Sequence, residues 1–166
     1  MNLVQAGRFK DAPWFPKEET HVIVGGVGGI GSWLTLLLAR AGFIPTVYDF
    51  DTFEEHNMSG QLVPKSSIGT VKVEAVKKVV LEFADTEIIA NNEKYTAETM
   101  SHHYVFSGFD NMQARKDMFN AWKEYVAEYT ESHDGEGDIP IFIDGRLLME
   151  QLQIFCVTPD RIEEYE

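Results

Sequence analysis

The sequence predicts an α/β chain: a Rossmann-like, open, mostly parallel sheet with helices on both faces. Three observations point there. An apolar, β-branched run, His21-Val22-Ile23-Val24-Gly25, leads at once into a glycine-rich turn and then into a segment of helical period. An acidic residue, Asp49, closes the next strand-like run, about 20 residues beyond the turn. Strand-like and helix-like runs then alternate along the chain, and no internal repeat is visible.

The elements follow in order. Residues 1–20 carry Pro13 and Pro16 around Trp14 and Phe15, which suits an irregular arm. Residues 21–166 read as a single domain, since 166 residues suffice for one core and are few for two. After the opening strand comes Gly25-Gly26-Val27-Gly28-Gly29-Ile30-Gly31-Ser32. A helix over 33–41 places Leu34, Leu37, Leu38 and Ala41 at helical spacing, with Gly42 as its C′ residue. A second strand at 46–48 ends in Asp49-Phe50-Asp51, and 52–68 has no sustained period, the mark of a long loop, which in a compact domain is usually functional or disordered. Thr70 is placed to cap a helix running to about residue 83, with Val73, Val76, Val80 and Phe83 as its apolar stripe. Strands at 87–90 and 104–109, an amphipathic helix over 111–129, an acidic linker over 130–138 and two last strands at 139–143 and 151–157 complete the reading.

Charge and composition exclude several classes. The chain carries 27 acidic against 14 basic residues, net −13. It therefore lacks the positive surface that non-specific nucleic-acid binding needs. One cysteine permits no internal disulfide and no four-cysteine zinc site, and no N-terminal apolar run resembles a signal peptide or a membrane span. The cytosol is the expected compartment, with neither nucleic acid nor membrane as partner.

The glycine turn carries the chemistry. Gly26, Gly28 and Gly31 stand in Gly-x-Gly-x-x-Gly spacing, with Gly29 between them, and the motif sits between a buried strand and a helix. Glycines permit positive φ and remove the Cβ atoms that would keep a phosphate from backbone N–H groups at a helix N-terminus. No Gly-Lys-Ser/Thr ending follows, so the turn is not a P-loop. Asp49 is placed to accept ribose hydroxyls, a role that fits NAD and ATP alike, or to solvate its loop; Asp51 has the same two readings.

Taken in succession, Gly-Gly-Val-Gly-Gly-Ile-Gly-Ser, Asp49-Phe50-Asp51, Asn57 with Gln61, residues 69–72 and Phe109-Asp110-Asn111 with Arg115 resemble the ThiF/MoeB/HesA and ubiquitin-activating-enzyme adenylyltransferases. The resemblance spans residues 21–154. It implies ATP and Mg²⁺ as cofactors and attack of a carboxylate on the α-phosphate, giving an acyl adenylate and pyrophosphate. The carboxylate it implies is usually the C-terminal glycine of a ubiquitin-like or sulfur-carrier protein. It also implies a homodimer. By the same resemblance Lys72 steadies the phosphates, Asp110 coordinates Mg²⁺, and Asn57 and Gln61 reach phosphate or ribose. The chemistry agrees, since in-line transfer gathers negative charge that cations must offset. The plain alternatives are a solvated Lys72, an Asp110 capping the next helix and an Asn57 serving a turn. Two other functions stay open: an NAD-dependent oxidoreductase, and a nucleotide-binding scaffold with weak or lost catalysis.

Two departures from the family pattern stand out. The family usually carries Asn-x-x-Arg-Gln, whereas this chain has Asn57-Met58-Ser59-Gly60-Gln61, so the clamping arginine is missing. By the same resemblance Arg8, donated across a homodimer interface, is the best substitute, its plain alternative being a surface arginine in a flexible arm; Lys65 and Arg146 are others, and Arg115, inside a helix, is expected to make salt bridges. Cys156 alternates in phase with Leu152 and Ile154, which predicts a buried packing role and no thioester step; paired zinc-binding cysteines are absent too, so no zinc is expected. The chain stops soon after its last strand, which reads as a compact or truncated member. His102-His103 read as solvated. Phe119, Trp122, Tyr125 and Tyr129 form a helical stripe suited to core or dimer surface. The segment around Met149 carries no nameable chemistry.

Overall fold

A computed structural model describes residue 12 and residues 18–133, 137–148 and 150–165. The elements of the first half are β1 (His21–Gly25), α1 (Gly31–Arg40), β2 (Ile44–Tyr48), α2 (Lys72–Ala84) and β3 (Ile89–Asn91). The second half supplies β4 (Tyr104–Ser107), α3 (Met112–His133), β5 (Ile141–Leu148), β6 (Gln151–Val157) and the short α4 (Ile162–Tyr165). One six-stranded sheet runs in the order β3-β2-β1-β4-β5-β6. Every pairing is parallel except the β5–β6 hairpin. The α/β, Rossmann-like reading holds. The strand order reverses direction at β1, so the crevice between the carboxyl ends of β1 and β4 is the topological switch point where such sheets bind ligands.

Two cores sandwich the sheet. Val24 and Val47 of β1 and β2 pack against Ala39 of α1 and Val73, Val76 and Val80 of α2. On the other face Ile23, Val105 and Phe142 meet Met118, Phe119, Trp122 and Val126 of α3. The aromatic stripe on α3 is thus core at Phe119 and Trp122, while Tyr125 and Tyr129 reach its margin, where they stack on each other and meet His103 edge-on.

Several sequence expectations are corrected. Toward the sheet α1 turns Gly31, Ser32, Thr35 and Ala39, while Leu37 is exposed. Small residues let this helix approach closely, and the Ser32 and Thr35 hydroxyls are satisfied by the carbonyls of Gly28 and Gly31, at 2.6 Å each. Thr70 does not cap α2; the helix starts after Val71 without a side-chain cap, and Ala84, not Phe83, completes its buried stripe. The loop after Asp51 contains two 3-10 helices, Glu55–Ser59 and Lys65–Ser67. The linker begins later than expected, because α3 continues through His133 as Thr130 Oγ1 bonds back to the Val126 carbonyl at 2.8 Å. β5 runs on to Leu148, since Asp144-Gly145 stays in strand register instead of turning. His103 is buried, and His102 stacks on Tyr125 with its pKa lowered, first by burial and then by His21 and His103; neither is a solvated histidine.

Cys156 shares a face with Leu152 and Ile154 as expected, but all three are exposed. On β5–β6 the buried side is the opposite one, where Phe142 and Val157 join the α3 core. The arm before residue 18 (residue 12 apart), the centre of the linker and Met149 lie outside the described residues, as does Arg8. Among the described residues no helix is long and apolar enough to cross a membrane.

Candidate active site

At the carboxyl end of β1 the chain must reverse into α1 within a few residues. Gly26 takes φ +77, and its N–H bonds to the Tyr48 carbonyl at 2.8 Å. Gly31 is required by contact: a Cβ there would lie 1.8 Å from the Gly26 carbonyl oxygen. Gly28 and Gly29 differ, because a Cβ at either meets nothing closer than 4.0 Å and would stand in open space. The turn thus holds one glycine for conformation, one for helix–strand packing and two that keep the approach to the backbone clear.

That approach opens into a cleft of about 310 Å³. Gly26, Gly28, Gly29, Asp49, Asp51, Asn57, Gln61, Lys72 and Asp110 all line it. Gly31 lies behind it. Lys72 and Asp110, from opposite sides of the switch point, face one space. Lys65 and Arg146 do not line the cleft.

Asp49 is nearly buried at the tip of β2. Its two carboxylate oxygens accept the N–H groups of Val27 and Asp51, each at 2.9 Å. Burial pushes its carboxyl upward against the opposite pull of those N–H groups and of Lys72. Lys72 is the first residue of α2, where the helix dipole disfavours a cation. Its Nζ is held 2.9 Å from Asp51, and its N–H donates to the Asp51 carbonyl at 2.8 Å. Asn57 Oδ1 accepts the Glu54 N–H at 3.0 Å in a capping box, and Gln61 Oε1 is buried with no hydrogen-bond partner among the described residues. Asp110 is exposed at the cleft wall; the cap of α3 is Asn111, whose Oδ1 accepts the Ala114 N–H at 2.8 Å.

Sequence reading missed other residues. His56, Phe50 and Phe109 also line the cleft. Phe50 was legible as the apolar member of Asp-Phe-Asp; His56 had no signal in an aperiodic loop. The Trp33 indole N–H donates to the Gly60 carbonyl at 2.8 Å, and Ser32 Oγ accepts the Leu62 N–H at 3.0 Å, so α1 fastens the loop over the glycine turn. Arg115 makes a salt bridge as expected, a buried one that reaches across to β5. Its guanidinium donates to Asp144 and to the Gly145 carbonyl. Asp144, fully buried, also accepts Arg146 Nε at 2.6 Å and the Tyr165 hydroxyl at 2.8 Å. Arg146 is occupied there and lies over Phe155, which removes it as a stand-in for the missing arginine.

Tyr165 in this network gives a pH prediction. Burial, then hydrogen bonding to Asp144, pushes its pKa from 10.0 to about 12, and burial does the same to Tyr95. A raised folded-state pKa stabilises below the unfolded value and is lost as pH rises through the folded one. Urea midpoints should therefore fall between pH 10 and about 12, and the double variant Tyr95→Phe/Tyr165→Phe should flatten that fall. An equally steep fall in the variant would refute the assignment.

A parallel-sheet domain with a glycine turn, a lysine and three carboxylates at its switch point has the architecture of the α/β domains that bind ligands in that crevice. The chain belongs to the ThiF family, whose match covers residues 17–134. Among curated relatives it is 28% identical over 148 residues to the NEDD8-activating enzyme E1 catalytic subunit of Caenorhabditis elegans, covering 80% of this chain and 34% of the relative. It is 29% identical over 111 residues to the tRNA threonylcarbamoyladenosine dehydratase of Haemophilus influenzae, covering 61% and 42%. The chain thus spans less than half the length of these relatives. Among solved structures, E. coli MccB with AMPCPP and MccA has a TM-score of 0.65 at 17% identity, covering 84% of this chain and 41% of that one. The E. coli tRNA N6-threonylcarbamoyladenosine dehydratase in complex with ATP has a TM-score of 0.57 at 21% identity, covering 67% and 48%. These likenesses establish the shared fold.

Proposed function

We propose that this chain is an ATP-dependent adenylyltransferase domain. It activates a carboxylate, that of the C-terminal glycine of a ubiquitin-like or sulfur-carrier protein, as an acyl adenylate with release of pyrophosphate. The observation that carries this reading is the convergence of the glycine turn, Lys72 and Asp110 on one cleft. The triphosphate lies along the turn at the N-terminus of α1, where backbone N–H groups and the helix dipole receive it. Asp49 and Asp51 face the ribose side, with Asn57 and Gln61 above. Phe50, exposed beside them, offers the base an aromatic face.

Charge decides the need for a metal. The cleft wall holds the carboxylates of Asp49, Asp51 and Asp110 against Lys72, so a cation strengthens the hold on a polyphosphate. Mg²⁺ takes one or two protein carboxylates plus phosphate oxygens, and Asp110, exposed and not engaged as a cap, fits that role. When bound, Mg²⁺ neutralises charge on the phosphates. In the reaction an acceptor carboxylate oxygen attacks the α-phosphorus, the bond from that phosphorus to the bridging oxygen breaks, and its electron pair leaves with pyrophosphate. Lys72 steadies the charge that gathers on the phosphate oxygens. A homodimer in the cytosol, with Arg8 of one copy reaching the other's cleft, belongs to the same proposal and supplies the cation that Gly60 does not.

Exchange of labelled pyrophosphate into ATP, dependent on an acceptor carboxylate, tests the reaction. Tight NAD binding without ATP affinity would overturn it, although family membership and the ATP and AMPCPP complexes of the structural neighbours favour ATP. A nucleotide-binding scaffold with little catalysis is the second reading, and Gly60 favours it. Gly60 adopts φ −135, and a Cβ there meets nothing within 4 Å. Its carbonyl lies 4.0 Å from where a Gly29 Cβ would be, so a long side chain starts beside the phosphate path. Gly60→Arg is expected to tighten ATP binding by about tenfold through a charge-assisted hydrogen bond. Titration calorimetry checks it, and unchanged affinity would place the missing charge elsewhere.

A further inference from the structure

Asp110 is exposed at the cleft wall, so its direction is set by the turn that carries it. That turn is pinned at its start, where the Gly108 N–H donates to the Gly25 carbonyl at 2.7 Å, and at its end by the Asn111 cap. Four residues after Asn111, on the first turn of α3, Arg115 reaches across to β5, where Asp144 sits in register opposite Ser107, the last residue of β4. The Asp144 carboxylate collects donors from three elements: Arg115 of α3, Arg146 of β5 and Tyr165 of α4. A buried ion pair adds little net stability over an apolar pair of the same volume. What it adds is register, because one guanidinium nitrogen, Nη1, meets the Asp144 carboxylate and the Gly145 carbonyl at once and so ties α3 to two successive residues of β5.

We propose that the buried Arg115–Asp144 pair is a positioning element for Asp110: it fixes the first turn of α3 against β5, and with it the direction in which the Asp110 carboxylate faces the cleft. The inference rests on the reading of Asp110 as the metal-facing carboxylate and names the residues that aim it. Neither Arg115 nor Asp144 lines the cleft, so both act through the turn.

Calorimetric titration of ATP into the full chain, in EDTA and across a series of MgCl₂ concentrations, tests the proposal. Arg115→Lys keeps the charge but ends one bond shorter than Nη1, which is expected to loosen the joint hold on Asp144 and Gly145. Its half-saturating Mg²⁺ concentration is expected to rise about tenfold, in the range that outer partners of metal ligands contribute. ATP affinity in EDTA and cooperative urea unfolding should stay as in the parent chain, a split that general loosening of the fold would not produce. An unmoved Mg²⁺ requirement in a folded Arg115→Lys overturns the proposal. If that variant does not fold, Tyr165→Phe removes a single donor from Asp144; a smaller rise in the Mg²⁺ requirement supports positioning, and no rise overturns it. Asp110→Ala is the control: if it leaves the Mg²⁺ dependence intact, the metal-facing reading fails first, a failure distinguishable from that of the positioning pair.

Discussion

Replacing Lys72 by alanine is expected to reduce pyrophosphate exchange by about 10²–10³-fold, the usual loss when one preorganised charge donor is removed from a developing anion. The fold should survive. Lys72 is nearly buried, but its partner Asp51 keeps about half its side-chain surface in water at 52%, and so exposed a pair contributes little to stability. The helix dipole at the start of α2 already opposes a cation there, so removing it relieves one unfavourable term while losing another. The two readouts should therefore separate: exchange collapses and the urea midpoint barely moves. The pair also explains how the lysine is delivered. A half-exposed carboxylate holds Nζ at the cleft without a deep desolvation penalty, and a phosphate can take its place at small cost. Asp51→Asn, which removes the competing charge, should affect exchange less than Lys72→Ala. If Lys72→Ala exchanges at the parent rate, the adenylate reading loses its main cation.

The parts of the site that were legible in the sequence are those that local chemistry dictates. Glycine spacing between an apolar strand and a helix predicts the turn because backbone conformation leaves few alternatives at Gly26 and Gly31. The positions of Asp49 and Asp110 were legible because strand ends in a parallel sheet point at one edge. What was not legible depends on partners far away in sequence. Little near Asp144 signals that it is buried, since Arg146 is its one local donor among the described residues and the others lie 29 residues back at Arg115 and 21 residues on at Tyr165. Cys156 alternates like a core residue, but which side of a hairpin is covered depends on where α3 lies, not on the hairpin's own period. Leu37 was misjudged for a related reason: apolar spacing finds a stripe, whereas the buried stripe of α1 is chosen by close approach and so falls on small residues.

The glycines of the motif should separate experimentally, because they answer different physical demands. In Gly31→Ala the new methyl carbon would lie 1.8 Å from the Gly26 carbonyl oxygen and 2.9 Å from its carbon, so two backbone segments must part. No side-chain rotation relieves a backbone contact of that kind, and opening it draws α1 away from β1 and Val24. A loss on the order of 3–5 kcal/mol is expected, at the severe end for a single substitution and a large share of a domain's stability. Urea unfolding followed by circular dichroism measures it. Gly28→Ala should behave in the opposite way. Its Cβ meets only the Gln61 amide nitrogen, at 4.0 Å, so the fold has room for the methyl group. That group would stand at the cleft wall, between the backbone and an incoming phosphate, so ATP affinity should drop by about tenfold or more as the anion is held off the N–H groups. Equal loss of stability in both variants would mean that the turn serves packing throughout, and the phosphate site would have to be sought elsewhere.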